Sequence, residues 1–342
     1  MARRRARKDA PPPGTPPITV RIESIVFGGQ GLGRLEDGRV AFVAFAAPGE
    51  LVEAEIERMH NDYVEAVTTR VIEAAPDRVE APCPLFGRCG GCQLQHLEYS
   101  AQLAAKHHMV EEQLRRIGAL QDVEVRGTVP ADHPWGYRNH IRLSTGPTHG
   151  DVGFISRRGK GLLTVEHCPI ADDFVNELLP SLQGKCQGLH QVQIRHNAQA
   201  DSFLINPEIP ELEIPTGQKA YLEYLAGRRF IVSDASFFQV NNAQAEKLVE
   251  LVGDAVPETG DTLVDAFAGV GTFAILFAER FRRVVAIEEA ASAVRDAKQN
   301  IKGADNVTLP QGQSRTRPAR VRRSSRRRAA RPASPGLRAP GA

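Results

Sequence analysis

Residues 263–288, LVDAFAGVGTFAILFAERFRRVVAIE, decide how the rest of the chain is read. Leu263 and Val264 form a short apolar run that ends at Asp265, and Gly269 and Gly271 then bend the backbone. An apolar helical run follows over residues 272–278, and a second strand over residues 284–287 closes on Glu288. Strand, tight glycine turn, helix and strand in that order make the first unit of a nucleotide-type α/β domain. Glycines let the backbone approach a ligand closely, and a carboxylate at the following strand end can accept both hydroxyls of a ribose. A dinucleotide fingerprint would carry a third glycine near Ile275, and none stands there. That favours a ligand without a pyrophosphate, for which S-adenosylmethionine is the usual candidate; the alternative is an ordinary glycine-bearing turn.

With 342 residues the chain can hold two or three domains, each with its own core. Hydrophobic content is 42% with no long apolar run and no signal segment behind the basic start, so no membrane partner is expected and the cytoplasm is the default. Five cysteines in such a length do not make a disulfide scaffold. The net charge of +2 hides an uneven layout: with +4 in the first ten residues and +10 beyond residue 308, residues 11–308 carry about −12. Basic ends can add salt-sensitive affinity for nucleic acid, while the acidic body counts against simple electrostatic binding.

Outward from the opening stretch, residues 1–17 read as a disordered basic and Pro-rich arm. Residues 18–72 offer four or five short strands with glycine turns, a pattern that suggests an OB-like barrel. Arg34, Arg39, Arg58 and Arg70 are its candidates for nucleic-acid contact, and a plain accessory β domain is the competing reading. Next, APCPLFGRCGGCQLQH places Cys83, Cys89 and Cys92 within ten residues. Three thiols so close point to a metal, with Cys168 of EHCPI the best fourth ligand and either zinc or an iron–sulfur cluster allowed. Cys186, in a polar stretch, reads as a bystander. Residues 94–117 show apolar spacing for a helix through Leu97, Leu103, Ala104, Val110, Leu114 and Ile117, stopped by Gly118.

The central region, 73–93 with 121–235, reads as mostly β with one helix near residues 171–180. Its Tyr137, Arg138, Asn139, Arg142, Arg157, Arg158 and Lys160 could meet phosphates and unpaired bases, or merely line a solvated sheet edge. SFFQVNNAQAEKLVELV opens a helix that Asn241 or Asn242 can cap. A helix over 290–301 and a strand at 306–309 follow. Residues 310–342 have no periodicity and recurrent proline. They read as disordered, and their Arg, Pro, Ala and Ser bias is also that of a GC-rich gene translated out of frame, so a truncated or frameshifted terminus is expected.

The cysteine block with the later HCP, SFFQVNNAQAEKL, the opening stretch and VVAIEEAASAVRDAKQNIKGADNV together resemble the RNA 5-methyluridine methyltransferases that carry a TRAM domain and a four-iron cluster, in particular the bacterial 23S rRNA branch. The resemblance covers approximately residues 18–309. It implies a multidomain chain: a TRAM barrel, a mostly β central domain with an Fe–S site, and a Rossmann-like methyltransferase domain, incomplete here, made of 94–120 and 236–309. It further implies Cys83, Cys89, Cys92 and Cys168 as ligands of a [4Fe–4S] cluster, Gln239 as a contact of S-adenosylmethionine, the segment from Asp265 through Gly269 to Gly271 around its methionine part, and Glu288 on its ribose. The helix at 94–120 is expected to pack on the methyltransferase domain, and 23S rRNA is the implied partner of a monomer.

Such chemistry needs a cysteine thiolate to add to uracil carbon 6 and a base to take the carbon 5 proton. In the family these lie in a Ser-Cys-Asn-Pro-type segment, behind an Asp-Pro-Pro-Arg motif, and at a late glutamate. None of these segments occurs in this sequence. No catalytic residue is therefore assigned, and an inactive member of that lineage is expected, with a noncatalytic RNA-binding protein bearing a structural metal site as the alternative.

Overall fold

Alternation of apolar and polar residues rolls the N-terminal strands into a closed five-stranded barrel of β1 (Ile18–Ile25), β2 (Gln30–Arg34), β3 (Val40–Ala44), β4 (Leu51–Met59) and β5 (Tyr63–Glu73), in the order β1-β2-β3-β5-β4. Antiparallel pairing of β4 with β1 closes it, and β3 with β5 is the one parallel pair among these strands. Val20, Ile22, Val43, Val52 and Val64 fill its interior, each exposed by 2% or less. Gly33 is required on β2, because a Cβ there would sit 2.4 Å from the carbonyl oxygen of Arg21 on the neighbouring strand. The computed structural model describes residues 9–159 and 161–310. Lys160, the first eight residues and the Arg-rich segment 311–342 lie outside the described residues, and with them the basic part of the expected arm 1–17 and the expectation of a disordered or frameshifted tail; residues 10–17 of that arm form neither helix nor strand, and Met59 N–H donates to Asp9 O at 2.9 Å.

Beyond the barrel, α1 (Tyr99–Glu112) ends in a wider turn over Gln113–Ile117. Of the expected stripe, Leu97 packs, Leu103 and Leu114 are half-buried, and Ala104, Val110 and Ile117 are exposed. Ala101, Ala105 and Met109, one turn apart, lie with Leu97 against Ile25 and Ala47 of the barrel. The small alanines let the helix approach a surface that the bulkier leucines would hold off, and the apolar spacing alone could not tell the two faces apart.

A mixed-length antiparallel sheet follows, built from β6 (His140–Thr145), β7 (Val152–Ile155), β8 (Leu162–Thr164), β9 (Gln191–Asn197) and β10 (Ser202–Asn206) in the order β10-β9-β6-β7-β8. The expected helix is α2 (Asp173–Leu182), whose N-cap Asp172 accepts a hydrogen bond from Val175 N–H at 2.9 Å. Val175, Leu178, Leu179 and Leu182 press onto the sheet. Cys186 is buried in that same core rather than placed in a polar loop. The hairpin β11 (Ala220–Leu225) and β12 (Arg228–Ser233) precedes α3 (Asn242–Ala255), which Asn241 caps through a 3.0 Å bond from Gln244 N–H.

Among the described residues, chain contacts gather into two compact units, one of residues 9–234 with 238–255, the other of 235–237 with 256–310. The second unit holds β13 (Gly260–Asp265), α4 (Thr272–Leu276), β14 (Phe281–Ala286), α5 (Ala291–Asn300) and β15 (Val307–Thr308). Its three strands among the described residues are parallel, in sequence order. Among the described residues no helix is long and apolar enough to cross a membrane.

Candidate functional site

Parallel pairing of β13 with β14 sets Asp265 opposite Ala286, so the turn after the first strand and Glu288 beyond the second meet at one end of the sheet. The ladder runs on past the strands: Ile287 N–H donates to Asp265 O at 2.8 Å and Ala268 N–H to Ile287 O at 3.0 Å. Gly269 and Gly271 both take positive φ, 55° and 93°, which a side chain at either position would oppose. One oxygen of Glu288 accepts Gly269 N–H at 2.8 Å, and the other accepts Glu289 and Ala290 N–H at 2.9 and 2.8 Å. The carboxylate thus pins the glycine turn to the start of α5. Asp265 accepts Ala274 N–H at 3.2 Å from the next helix. Burial holds its carboxyl above the usual range, the nearby Glu288 charge adds to this, and the N–H bonds from Ala274 and Phe267 oppose it. Two acids flanking a bent glycine backbone form a site that can accept hydroxyls and an ammonium group. Gln239 is exposed and belongs to the first unit, on the segment between β12 and α3.

In the first unit Cys83, Cys89, Cys92 and Cys168 line one cavity of about 340 Å³. Local pairing brings them there: Cys89 bridges to Ser156 at the end of β7, and Arg138 bridges to Ala171 just past Cys168. The loop of Cys168 is held by Asn176, whose side chain accepts Cys168 N–H at 2.8 Å and donates to Cys168 O and Ala171 O. Gln95 accepts Cys83 N–H at 3.3 Å, and its amide beside Cys92 favours the thiolate there. Neither amide stands out in the sequence; each sits within twelve residues of the cysteine it holds, the only signal that could have flagged it. Burial raises the thiol pKa values of Cys89, Cys92 and Cys168, and the charges of neighbouring cysteines add to each shift. Binding as thiolate to a cationic group would reverse that penalty. Among the described residues no three His, Cys, Asp or Glu side chains come close enough together to hold a single metal ion.

The arginines expected to meet nucleic acid are mostly occupied. Arg39 is bonded to Asp37, Arg58 to Glu65, and Arg70 to Glu53, while Arg34 lies 4.0 Å from Glu23. Arg157 makes a two-pronged bond to Glu57 at 2.8 and 2.6 Å, and Arg158 adds a third, so both tie the central sheet to the barrel. These pairs accord with the acidic body of the chain, which counts against simple electrostatic binding.

Residues 17–68 match the TRAM domain, and residues 221–311 match the tRNA (uracil-5-)-methyltransferase family. An uncharacterised RNA methyltransferase of Aquifex aeolicus is 32% identical over 85% of this chain and 76% of its own length. Another, of Gloeobacter violaceus, is 30% identical over 86% of this chain and 78% of its own length. The crystal structure of the Pyrococcus abyssi tRNA (uracil-54, C5)-methyltransferase with S-adenosyl-L-homocysteine aligns with a TM-score of 0.63 at 23% identity, covering 86% of this chain and 79% of that one. That likeness shows a shared fold.

Proposed function

Because the chain belongs to the family of TRAM-bearing RNA uracil-5-methyltransferases, we propose that it binds S-adenosylmethionine at the glycine turn of its second unit and RNA, of the 23S rRNA class, through its first. The observation that carries the donor reading is Glu288, whose carboxylate stands beside Gly269 at the end of a parallel strand pair. When bound, the donor supplies a methyl group made electrophilic by a sulfonium charge. Glu288 would accept its ribose hydroxyls while keeping the N–H groups of Glu289 and Ala290, and the backbone from Asp265 to Gly271 would follow the methionine part. Gln239 takes its role as a donor contact from the family resemblance alone.

Methylation at carbon 5 of uracil requires a thiolate, since that carbon becomes nucleophilic only after addition at carbon 6. Cys186 is fully buried, and burial pushes its thiol up to about 11. The other four of the five cysteines line one cavity of the first unit. No cysteine of this sequence is therefore assigned the attack, and this polypeptide is expected to form no 5-methyluridine. The four cysteines lining that cavity would hold a [4Fe–4S] cluster, which would supply a cross-link between residues 83–92 and the loop of Cys168 rather than a reaction step. We place the protein in the cytoplasm as a monomer.

Filter retention of radiolabelled S-adenosylmethionine, run alongside nucleoside analysis of unmodified 23S rRNA, tests this reading. Donor retained with no 5-methyluridine formed is the expected pair of results. Absence of retention would sink the donor site, and product formation abolished by Cys186→Ser would show the nucleophile misplaced. Anaerobic preparations should hold about four irons per chain, lost in Cys168→Ala; stoichiometric zinc without iron would overturn the cluster.

A further inference from the structure

Beside the cysteine cavity the first unit carries a second one, of about 590 Å³, whose lining includes Tyr99, Trp135, Tyr137, Gln102, Gln244 and Lys106. Resting on the RNA reading above, we infer that this cavity takes one unstacked nucleobase of a single-stranded segment, stacked on Trp135, with its phosphate outside at Lys106. Trp135 is the sole tryptophan of the chain and keeps 38% of its surface exposed, a large apolar face that folding has left uncovered. The neighbouring backbone is tied down: the Tyr99 hydroxyl accepts Ala131 N–H at 2.7 Å, and Lys106 follows Tyr99 on the same helix. Flat π faces suit any base, because every base presents one.

A second observation concerns the edge of the base. Gln244 donates its amide N–H to Val129 O at 3.1 Å, but its side-chain oxygen is buried with no hydrogen-bond partner. Such an acceptor costs stability unless a donor reaches it, and a turn of the amide that brings the oxygen to the cavity surface lets it accept an imino or amino N–H of a base. Glu80 and Glu98 also line the cavity. Their charge disfavours a phosphate-rich small molecule inside, and suits a base presented by a strand whose phosphates stay at the rim. Gly91, Cys92, Gln95 and Ile170 line both cavities. A base seated here therefore touches the wall that shapes the cysteine site, and RNA contact and the four thiols share one support.

Tryptophan fluorescence of the full chain reads this site without interference from other tryptophans. A mixed-sequence RNA hexanucleotide is expected to quench the emission to saturation. By anisotropy of the labelled hexanucleotide, Trp135→Ala should weaken binding about tenfold to a hundredfold. Trp135→Phe, which keeps a stacking face, should stay within about threefold, and thermal melts of both variants check that the fold persists. Hexanucleotide binding seen by anisotropy with unchanged emission overturns the pocket while leaving the RNA reading intact, as does wild-type affinity in Trp135→Ala. No RNA binding at all overturns both. Quenching by uridine or adenosine monophosphate at affinity equal to the hexanucleotide makes this a free-nucleotide site and overturns the assignment to RNA.

Discussion

The barrel and the three-stranded sheet of the second unit organise their stability in opposite ways. In the barrel every strand has two partners and alternate residues meet in a sealed interior, with Val43, Val52, Ala54 and Val64 wholly buried. In the second unit, β13 pairs among the described residues only with β14, none of its residues is fully buried, Val264 is 47% exposed and Phe267 83%. What holds the end of β13 in shape is polar: the ladder to Ile287, the Glu288 carboxylate on Gly269, and Asp265 on Ala274. Burial therefore carries the barrel, and a few directed bonds carry the turn. A site that must admit a ligand cannot be filled with side chains, so directed bonds are the means left to it.

That contrast can be broken most sharply at Ile22. Ile22→Ala removes a side chain exposed by only 1% and should cost about 2–5 kcal/mol in urea unfolding; a loss below about 1 kcal/mol would show that the barrel is not tightly packed. Acid comes next. Burial, with the Arg78 charge adding, lowers the His96 pKa to about 4, so the unfolded chain binds a proton there that the fold refuses. Stability should accordingly fall as pH drops from about 6.5 towards about 4, by roughly 3 kcal/mol in all. In His96→Gln that slope should flatten, and an unchanged slope would reject the assignment.

The barrel is also tied to its neighbours by charge. Glu50 is fully buried; burial alone would raise its pKa, but Arg78 and the N–H groups of Ala47 and Ala75 outweigh this and lower it. Its contribution is present above pH about 4.5 and is lost as pH falls through the lowered value. Arg157→Ala, which leaves Glu57 only its Arg158 partner, should cost about 1 kcal/mol, since the groups are part-exposed and screened. At the bottom of the scale, Phe267→Ser on the second unit should shift stability by less than about 0.5 kcal/mol. A larger loss would mean that this ring is covered in solution.

Elements whose order is local are legible in the sequence. The barrel strands, α2, α3 and the strand–turn–helix at residues 260–288 follow from alternation, caps and paired glycines, each a property of neighbours along the chain. The packing face of α1 is not legible in this way, because Ala101, Ala105 and Met109 are chosen by the shape of the surface they meet rather than by their apolarity. Nor is the burial of Cys186, since its flanking Lys185 and Gln187 are polar while the sheet covers the thiol alone. The convergence of Cys168 with the block 76 residues earlier has little support in sequence beyond the proline that follows it, and the fold brings the four together as the lining of one cavity. Asn176 and Gln95, which hold that cavity's backbone, cannot be picked out among ordinary amides.

Calorimetric titration of S-adenosylmethionine into the wild-type chain and into Glu288→Ala tests the central claim most directly. Loss of a carboxylate that accepts ribose hydroxyls should weaken binding by about 1.5–3 kcal/mol, roughly tenfold to a hundredfold, whereas Val264→Ala on the same strand should leave it within about twofold. Equal affinity in the wild type and Glu288→Ala, or no heat in either, would contradict the assignment of the glycine turn as the donor site.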